Sequence, residues 1–577
     1  MGPAAGVEIL QVERIVLDLQ DFHAGSRAHP IVPVLVATEA PPGLLRWPLL
    51  LGGTVAEVLD ASAATLGRVL RDLWLRLPMP GTPLDTAGWE NSPYRPVPGI
   101  VDAACTLYAR HGVAEIANAR AEARNLTATT AAILDTVAAT RAGGGHCALF
   151  VTGIPGAGKT LCGLNAVFGA GQAHGAVFLT GNPTLVHVLR EALARDQAQG
   201  DRTRLRASRQ RTKSAIQALP AFRDHNVSAG TAPHDHVIVI DEGQRAWSAA
   251  HAIRKSRDRP VQLTDSEPGH LLDIMRLHGD WAVVVCLVGG GQEIHDGEGG
   301  LAEWGEALAA RPDWGVVASP SALLGADARQ LLPALPALRL EGALHLDVPV
   351  RSIRNAAAAP WVDAVLAGDS AAARAIAEAA WPVPFVLTRD LADLRRHLRT
   401  ASRGLRRCGL VASSGAKRLR AEGLGAELPH MDASAVARWF LDRWPDVRAS
   451  DALETVATEF SCQGLELDHV GLCWGGDLVR GPGSWAAREF SGTRWHQLRQ
   501  AEAIANRVNT YRVLLTRARY ETVIWIPPGA PNDATRPPAE GDAVADFLRA
   551  CGARDMEPAA PDELVPAPQG MPQGMLI

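Results

Sequence analysis

"HCALFVTGIPGAGKTLCGLN", His146 to Asn165, decides how the rest of the chain is read. It opens on the apolar β-type run "CALFVT" and closes on a helix-compatible run. Between them Gly153, Gly158, Lys159 and Thr160 fit the pattern G-x-x-x-x-G-K-[ST]. Glycines let such a loop take backbone angles that turn successive N–H groups inward. The helix that follows adds its positive N-terminus, and a lysine at this place reaches phosphate oxygens. A strand-to-helix turn with an incidental lysine is the competing reading, and it is disfavoured because strand, loop and helix stand in the required order. The segment Gly153, Pro155, Gly156, Ala157, Gly158, Lys159, Thr160 and Leu161 is therefore expected to hold a nucleotide's phosphates, with Thr160 a ligand of magnesium.

The next strand agrees. "HVIVIDEGQR" sets Asp241 and Glu242 at the tip of four consecutive aliphatic residues. A strand buried on both faces presents its polar chemistry at its carboxyl end. Asp241 is expected on the magnesium ion and Glu242 on the attacking water, so that the nucleotide is hydrolysed. Short β-rich runs alternate with longer helical ones on both sides, as a parallel sheet covered by helices requires: "HCALFVTG", "AVFLTGN", "HVIVIDE" and "WAVVVCLVGGG", then "ALHLDVPV", "PFVLTRD", "CGLVASS", "LETVATEF", "HVGLCWGG" and "ETVIWIPP". The expected fold class is α/β, with two such domains in tandem over 145–342 and 343–527. Before them stand a mixed α/β region, 1–98, and a helical connector, 99–144. After them comes a Pro/Ala-rich tail, 528–577, with one short helix and a disordered end.

Bulk properties are compatible with an enzyme. A chain of 577 residues is too long for one core. No apolar run is long enough to span a bilayer, and the N-terminus lacks the pattern of a signal peptide, so a cytoplasmic location is expected. The eight cysteines are scattered without a C-x-x-C pair, which argues against zinc and for reduced, packed thiols. A net charge of -5 excludes a protein coated in positive charge, yet two basic runs remain, Arg195 to Lys213 and Arg395 to Arg407. Each reads either as a solvated face or as a local nucleic-acid contact. Fifteen Trp stand against four Tyr; Trp247, Trp304 and Trp474 could stack on a base, although core packing is the commoner use. His174, His236 and His295 lack metal-ligand spacing.

Further motifs follow in order. "VVVCLVGGGQEIHDGEGGLAEW" places Gln292 beyond a buried strand, either sensing the γ phosphate or as an ordinary surface amide. "LHLDVPVRSIRN" holds Arg351 and Arg354; "ATEFSCQGLELDHVGLCWGG" holds Gln463, Gly464 and Glu466; "NRVNTYRVLLTRARYE" holds Arg512, Arg517 and Arg519. These arginines read either as surface ion-pair partners or as fingers delivered to the γ phosphate across a cleft between domains.

The order of these segments resembles a superfamily 1 helicase core: "GIPGAGKT" as motif I, "VFLTGNPTLVHVL" as Ia, "VIDEGQR" as II, "LVGGGQEI" as III, "DVPVRSIRN" as IV, "FSCQGLELD" as V and "YRVLLTRAR" as VI. More narrowly, "DEGQRAW", "GGGQEIHDGEGGLAEW", "SSGAKRLRAEGL" and "EFSCQGLELD" are similar to the Schlafen group 3-like DNA/RNA helicase domain family, domain of unknown function 2075, over roughly Gly145 to Pro527. The resemblance implies two RecA-like P-loop domains, ATP with Mg2+ between them, and single-stranded DNA or RNA across their tops. It makes Gln292 the coupling residue and Arg351 and Arg517 the fingers. It places Glu466 at the ribose or the cleft, and Thr180, Asn182, Thr184 and Gln463 on the nucleic acid. It also implies work in nucleic-acid maintenance or in defence against foreign elements. Two features depart from the pattern: no adenine-reading glutamine motif precedes Gly153, and Gly290 stands where many members carry aspartate.

"QVERIVLDLQDFHAGSRAHPIVPVLVATEA" is similar to the part of a PD-(D/E)XK nuclease-like domain that follows its catalytic strand. No D…E-x-K set precedes Gly153, so cleavage by this chain is not expected and any nuclease is a partner acting in trans. A decayed remnant, a start placed downstream of the true one, and simple packing of these elements remain equal readings. For the whole chain the expectation is an ATP-dependent helicase or translocase; the alternative is a P-loop switch that recruits a partner without unwinding.

Overall fold

The computed structural model describes residues 4–557 apart from 27–28, 38–49, 52–54, 77–82, 93–99, 102–103, 106–120, 155–156, 171–174, 290–298, 326–327, 348–356, 380–382, 405, 426–432, 463 and 482. Two compact units emerge. The smaller combines Met1–Val97 with Arg399–Arg407, and the larger holds Pro98–Leu398 and Cys408–Val565.

The smaller unit is built from α1 (Ala4–Phe22), β1 (Val34–Val36), β2 (Leu50–Leu51), β3 (Val55–Ala56), β4 (Leu59–Ala61), α2 (Leu66–Arg76) and α3 (Thr86–Glu90). β1 runs parallel to β4, and β2 pairs antiparallel with β3. Val16 and Leu17 of α1 bury against Val55, while Leu59, Ala61, Val69 and Leu73 form a second small core. The sequence reads "IVPVLVATEA" as a buried strand; among its described residues, 31–37, the strand takes in Val34–Val36, and these are intermediate to exposed because a two-stranded pairing has one open edge on each strand. The basic run ending at Arg407 is explained here. Arg403 donates to Glu13 (2.7 Å) and to the Ala56 carbonyl (2.9 Å), and Arg406 pairs with the buried Asp21. Those charges serve packing.

In the larger unit α4 (Ala121–Gly143) leads into β5 (Gly145–Gly153), α5 (Lys159–Asn165), β6 (Ala176–Thr180), α6 (Pro183–Ala198), α7 (Arg202–Ala215), β7 (Ile216–Ala218), α8 (Leu219–Ala229), β8 (Val237–Asp241), α9 (Ala249–Ser256), α10 (Glu267–Arg276), β9 (Trp281–Val288), α11 (Gly300–Ala309), β10 (Trp314–Ala318), β11 (Leu338–Leu340) and β12 (His345–Leu346). Their strands form one all-parallel sheet in the order β11-β10-β5-β9-β8-β6-β7, with β12 also on β5. All eight residues of β9 and all five of β8 are buried, which is why their sequences are unbroken apolar runs rather than alternating ones.

A second lobe follows, with α12 (Ala358–Ala367), α13 (Ser370–Ala379), β13 (Phe385–Thr388), α14 (Leu391–Ala401), β14 (Cys408–Ala412), α15 (Ala433–Leu441), β15 (Val456–Thr458), α16 (Glu459–Cys462), β16 (Leu467–Cys473), β17 (Leu478–Arg480), β18 (Trp485–Ser491), β19 (Arg494–Gln497), α17 (Ala501–Leu515), β20 (Ala518–Trp525), α18 (Pro538–Ala550) and β21 (Arg554–Asp555). Its parallel sheet runs β15-β14-β16-β20-β13-β21, and β17-β18-β19 form a separate antiparallel sheet. The fold is thus α/β with two large parallel sheets flanked by helices, as expected.

Two boundaries differ from the sequence reading. "ALHLDVPV", taken as the first strand of the second domain, contributes β12 to the first sheet, where His345 and Leu346 register with Thr152 and Gly153. The stretch from 528, taken as a tail, belongs to the second lobe as far as Asp555. Val544, Ala545 and Leu548 of α18 are buried, the Cys551 carbonyl accepts from Trp361 Nε1 (2.8 Å), and β21 extends the sheet beside β13. Apolar spacing in α18 outweighs the Pro/Ala composition around it. The expected disorder concerns 558–577, which lie outside the described residues. All the cysteines are free, and seven of the eight are buried.

One packing contact can be tested directly. Gly163 sits on the α5 face that meets the sheet, where a Cβ would lie 2.6 Å from Leu287 Cδ1 and 3.0 Å from Val239 Cγ1. Gly163→Ala is expected to destabilise the protein by about 1–3 kcal/mol, read as a lowered denaturation midpoint. An unchanged midpoint would show that α5 is not pressed against β8 and β9.

Candidate functional site

The site lies at the carboxyl ends of three adjacent parallel strands, β5, β9 and β8. β5 ends at Gly153, and the chain turns through Gly158, whose φ of 85° is left-handed backbone suited to glycine, into the first turn of α5. Lys159 Nζ donates to the carbonyls of Gly153 (2.8 Å) and Ile154 (3.1 Å), curling back over the loop. Behind the loop, Ile154 N donates to the Leu346 carbonyl (3.1 Å), so β12 braces it. Pro155 and Gly156 lie outside the described residues; Ala157 and Leu161 are buried.

From the end of β8, Asp241 accepts a hydrogen bond from Thr160 Oγ1, which lies 3.2 Å from each carboxylate oxygen. Burial, and then the neighbouring Glu242, push the Asp241 carboxyl up to about 7, against the pull of Thr160 and Lys159. A buried carboxylate with so little compensating charge, beside a hydroxyl, is a hard-oxygen donor set that suits a divalent cation such as magnesium. Glu242 has a φ of 54°, a left-handed conformation that costs a non-glycine residue about 1–3 kcal/mol and marks functional sites. Its Oε2 accepts from Gln244 Nε2, and Gln244 Oε1 in turn accepts from Gly289 N at the end of β9 (3.1 Å). A Cβ on Gly289 would stand 2.9 Å from Lys159 Cε and 3.6 Å from Glu242 Oε2. Lys159, Thr160, Asp241 and Glu242 are therefore brought together, as their motifs anticipate.

Gln244 is the residue that sequence reading passed over. It is fully buried and ties the β8 tip to the β9 tip. Its place two residues after the acidic pair was visible, but its partner, Gly289, is 45 positions away. Below it the Gly243 carbonyl accepts from Trp304 Nε1 (2.8 Å), so Trp304 is a buried support rather than a base-stacking surface. Trp474 is buried too, bonded to the Leu478 carbonyl (2.8 Å), and Trp247 stands beneath the Arg223 guanidinium.

The residues tied by resemblance to nucleic acid and to the cleft are distributed as follows. Asn182 caps α6, its Oδ1 accepting from Thr184 N (2.9 Å) and Leu185 N (3.3 Å), while the Thr180 hydroxyl accepts from Asn182 N (3.2 Å). The second lobe meets this cap: a Cβ on Gly464 would lie 3.2 Å from Leu185 and 3.9 Å from Asn182 Nδ2. Glu466 faces Arg519 (3.8 Å), and Arg519 also pairs with Asp468 (3.2 Å). Arg512 pairs with Asp363 (3.0 Å). For these two arginines the ion-pair reading is the one observed. Arg517 is buried at the start of β20, with Nε on the Val513 carbonyl (2.9 Å). Gln292, Arg351, Arg354, Gln463, Gly290, His174 and His295 lie outside the described residues.

Among the described residues one other group could meet a cation: His236, His278 and Asp280, at the amino ends of β8 and β9. Its two rings lie 4.0 Å apart and are tilted by 33°, and His236 Nδ1 and His278 Nε2 already lie at the carbonyls of Trp281 (2.8 Å) and Asp235 (3.2 Å). That geometry is structural. No helix among the described residues is long and apolar enough to cross a membrane.

Comparison with known proteins adds a family. The model of the Schlafen group 3, DNA/RNA helicase domain matches residues 146–528, well over half of the chain. No curated protein matches. Among solved structures, a crystal structure of the DUF1998 helicase MrfA bound to DNA and AMPPNP is similar at 13% identity, covering 79% of this chain and 57% of that one, with a TM-score of 0.28. This chain therefore spans less than two thirds of that protein, and so low a score carries no argument. Neither comparison points to a partner nuclease.

Proposed function

Because the chain belongs to the Schlafen group 3 DNA/RNA helicase domain family, we propose that it is an ATP-hydrolysing motor that moves along single-stranded DNA or RNA. One observation carries this reading: the loop lysine, the Thr160 and Asp241 oxygens and the strained Glu242 converge at the carboxyl edge of the first sheet. In this reading the loop from Gly153 to Leu161 cradles the triphosphate with backbone N–H groups, and Lys159 exchanges its two carbonyl partners for phosphate oxygens. Thr160 and Asp241 would hold Mg2+, which supplies charge neutralisation at the phosphates when bound. Glu242, oriented by Gln244, accepts a proton from the attacking water. Arg351 and Arg517 come from the second lobe as fingers, and Gln292 reports the nucleotide state to the strand. Thr180, Asn182, Thr184 and Gln463 contact the nucleic-acid backbone; the approach of Gly464 to Asn182 supports a contact line shared by the two lobes.

The test is the rate of ATP hydrolysis with and without single-stranded DNA or RNA. Stimulation of at least about fivefold is expected from coupling between two sites on a motor. Hydrolysis indifferent to either strand would overturn the motor and leave the regulatory switch.

A further inference from the structure

Arg195 to Lys213 is the basic run that the site above does not use. It occupies the end of α6 and most of α7, facing α15 of the second lobe. Between these helices lies a recess of about 380 Å³, lined among others by His187, Arg190, Arg195, Arg209, Lys213 and Arg438. The lining carboxylate is Glu191, which accepts from Arg195 Nε (2.8 Å) and from Arg209 Nε (2.8 Å) and NH2 (2.7 Å). Burial opposes its ionisation, but those guanidinium bonds outweigh burial and hold it below the ordinary carboxylate range. Arg195 reaches on across the lobes to Asp442 (2.5 Å). Glu191 and Asp442 are thus consumed by Arg195 and Arg209.

Three cations remain. The half-buried Arg190 spends its donors on main-chain carbonyls, those of Ile216 (2.6 Å) and Lys213 (3.2 Å), and Arg438 donates to the Ser434 hydroxyl (3.0 Å). Among the described residues neither these two nor Lys213 has a carboxylate in ion-pair contact. Half-buried guanidinium groups are ordinarily neutralised by acids. Here neutral acceptors fix their positions around an open volume, and Asp446, which feels the charge of Arg438, lies beyond ion-pair contact with it. Burial, and then Arg190, hold His187 below its ordinary range, so it enters as a neutral hydrogen-bonding group.

We infer that this recess is a second anion site, separate from the phosphate loop, that takes a phosphate ester, either of a free nucleotide or of a nucleic-acid backbone. Cationic N–H groups form charge-assisted hydrogen bonds to phosphate oxygens, and the volume admits one nucleotide unit. It shares no lining residue with the loop from Gly153 to Leu161. Because α15 supplies Arg438 and α6 and α7 supply the rest, an anion bound here holds the two lobes together at the seam that Arg195 and Asp442 already bridge.

The probe is inorganic pyrophosphate, titrated calorimetrically into the full chain carrying Lys159→Ala, so that the phosphate loop is silenced and failure of the motor reading does not affect the result. Binding should persist in that protein and weaken by at least about tenfold when Lys213→Glu and Arg438→Glu are added, since each change removes a charged hydrogen-bond donor and adds a like charge to the anion. If Arg438→Glu lowers the melting temperature, Lys213→Glu alone, on an exposed side chain, carries the test with an expected loss of several-fold. Displacement of pyrophosphate by a thymidine 12-mer identifies a backbone as the occupant; displacement by AMP but not by the 12-mer identifies a nucleotide. No binding to the Lys159→Ala protein, equal affinity in the charge-reversed proteins, or displacement by neither competitor, which leaves an adventitious ion only, overturns the site.

Discussion

Lys159→Ala should leave the protein folded while lowering ATP hydrolysis by about 10²–10³-fold or more, the loss seen when one preorganised donor to developing charge is removed. The side chain is partly exposed and takes no part in the apolar core, so its removal costs little stability. What disappears is the charge. Nζ is parked on the Gly153 and Ile154 carbonyls, 2.8 and 3.1 Å away, with its stem against Gly289, in position to turn towards an incoming phosphate. No other lysine or arginine bonds to the loop carbonyls among the described residues. Phosphate release in steady state, with nucleotide binding measured separately, checks it; turnover at the wild-type rate would remove the loop from the chemistry.

Glu242→Gln should separate binding from hydrolysis. The amide keeps the size of the carboxylate and can still accept from Gln244, so the β8 and β9 tips stay tied and nucleotide affinity is retained. A proton acceptor is lost, which general-base catalysis values at about 10²–10⁴-fold in rate. Single-turnover hydrolysis alongside a binding isotherm gives both numbers. A rate within twofold of wild type would reassign the water-activating group, and a lost affinity would make Glu242 a binding residue instead. The strained backbone at this position supports the first assignment, since such conformations cluster at functional sites.

The two substitutions address residues that a reader of the sequence would also choose. That Gly153, Gly158, Lys159, Thr160, Asp241 and Glu242 come together at one sheet edge was legible because the placement is local: the turn follows from glycine spacing, and the acids follow from an apolar strand that can expose polar groups only at its tip. The alternation of strands and helices foretold two parallel sheets for the same reason. Arg512 and Arg519 show the limit. Both stand in a motif that resembles a finger-bearing segment, yet each is held by an acid, Asp363 for one and Glu466 with Asp468 for the other. A charge pattern along a helix or strand does not reveal which carboxylate lies opposite.

By itself, the sequence determined the glycine-rich strand-to-helix turn, the acidic strand tip and the α/β class, since each depends on backbone preferences and apolar periodicity over a dozen residues or fewer. Only the tertiary structure decided that Gln244 links two strand tips, that Trp304 is a support, that β12 joins the first sheet and β21 the second, and that Arg403 and Arg406 pack the smaller unit while Arg190, Arg209 and Lys213 line a recess. Those outcomes rest on partners tens to hundreds of positions apart, Gly289, Asp442 and Glu13 among them. Burial and charge compensation are settled by what surrounds a side chain in three dimensions, and no local pattern encodes that.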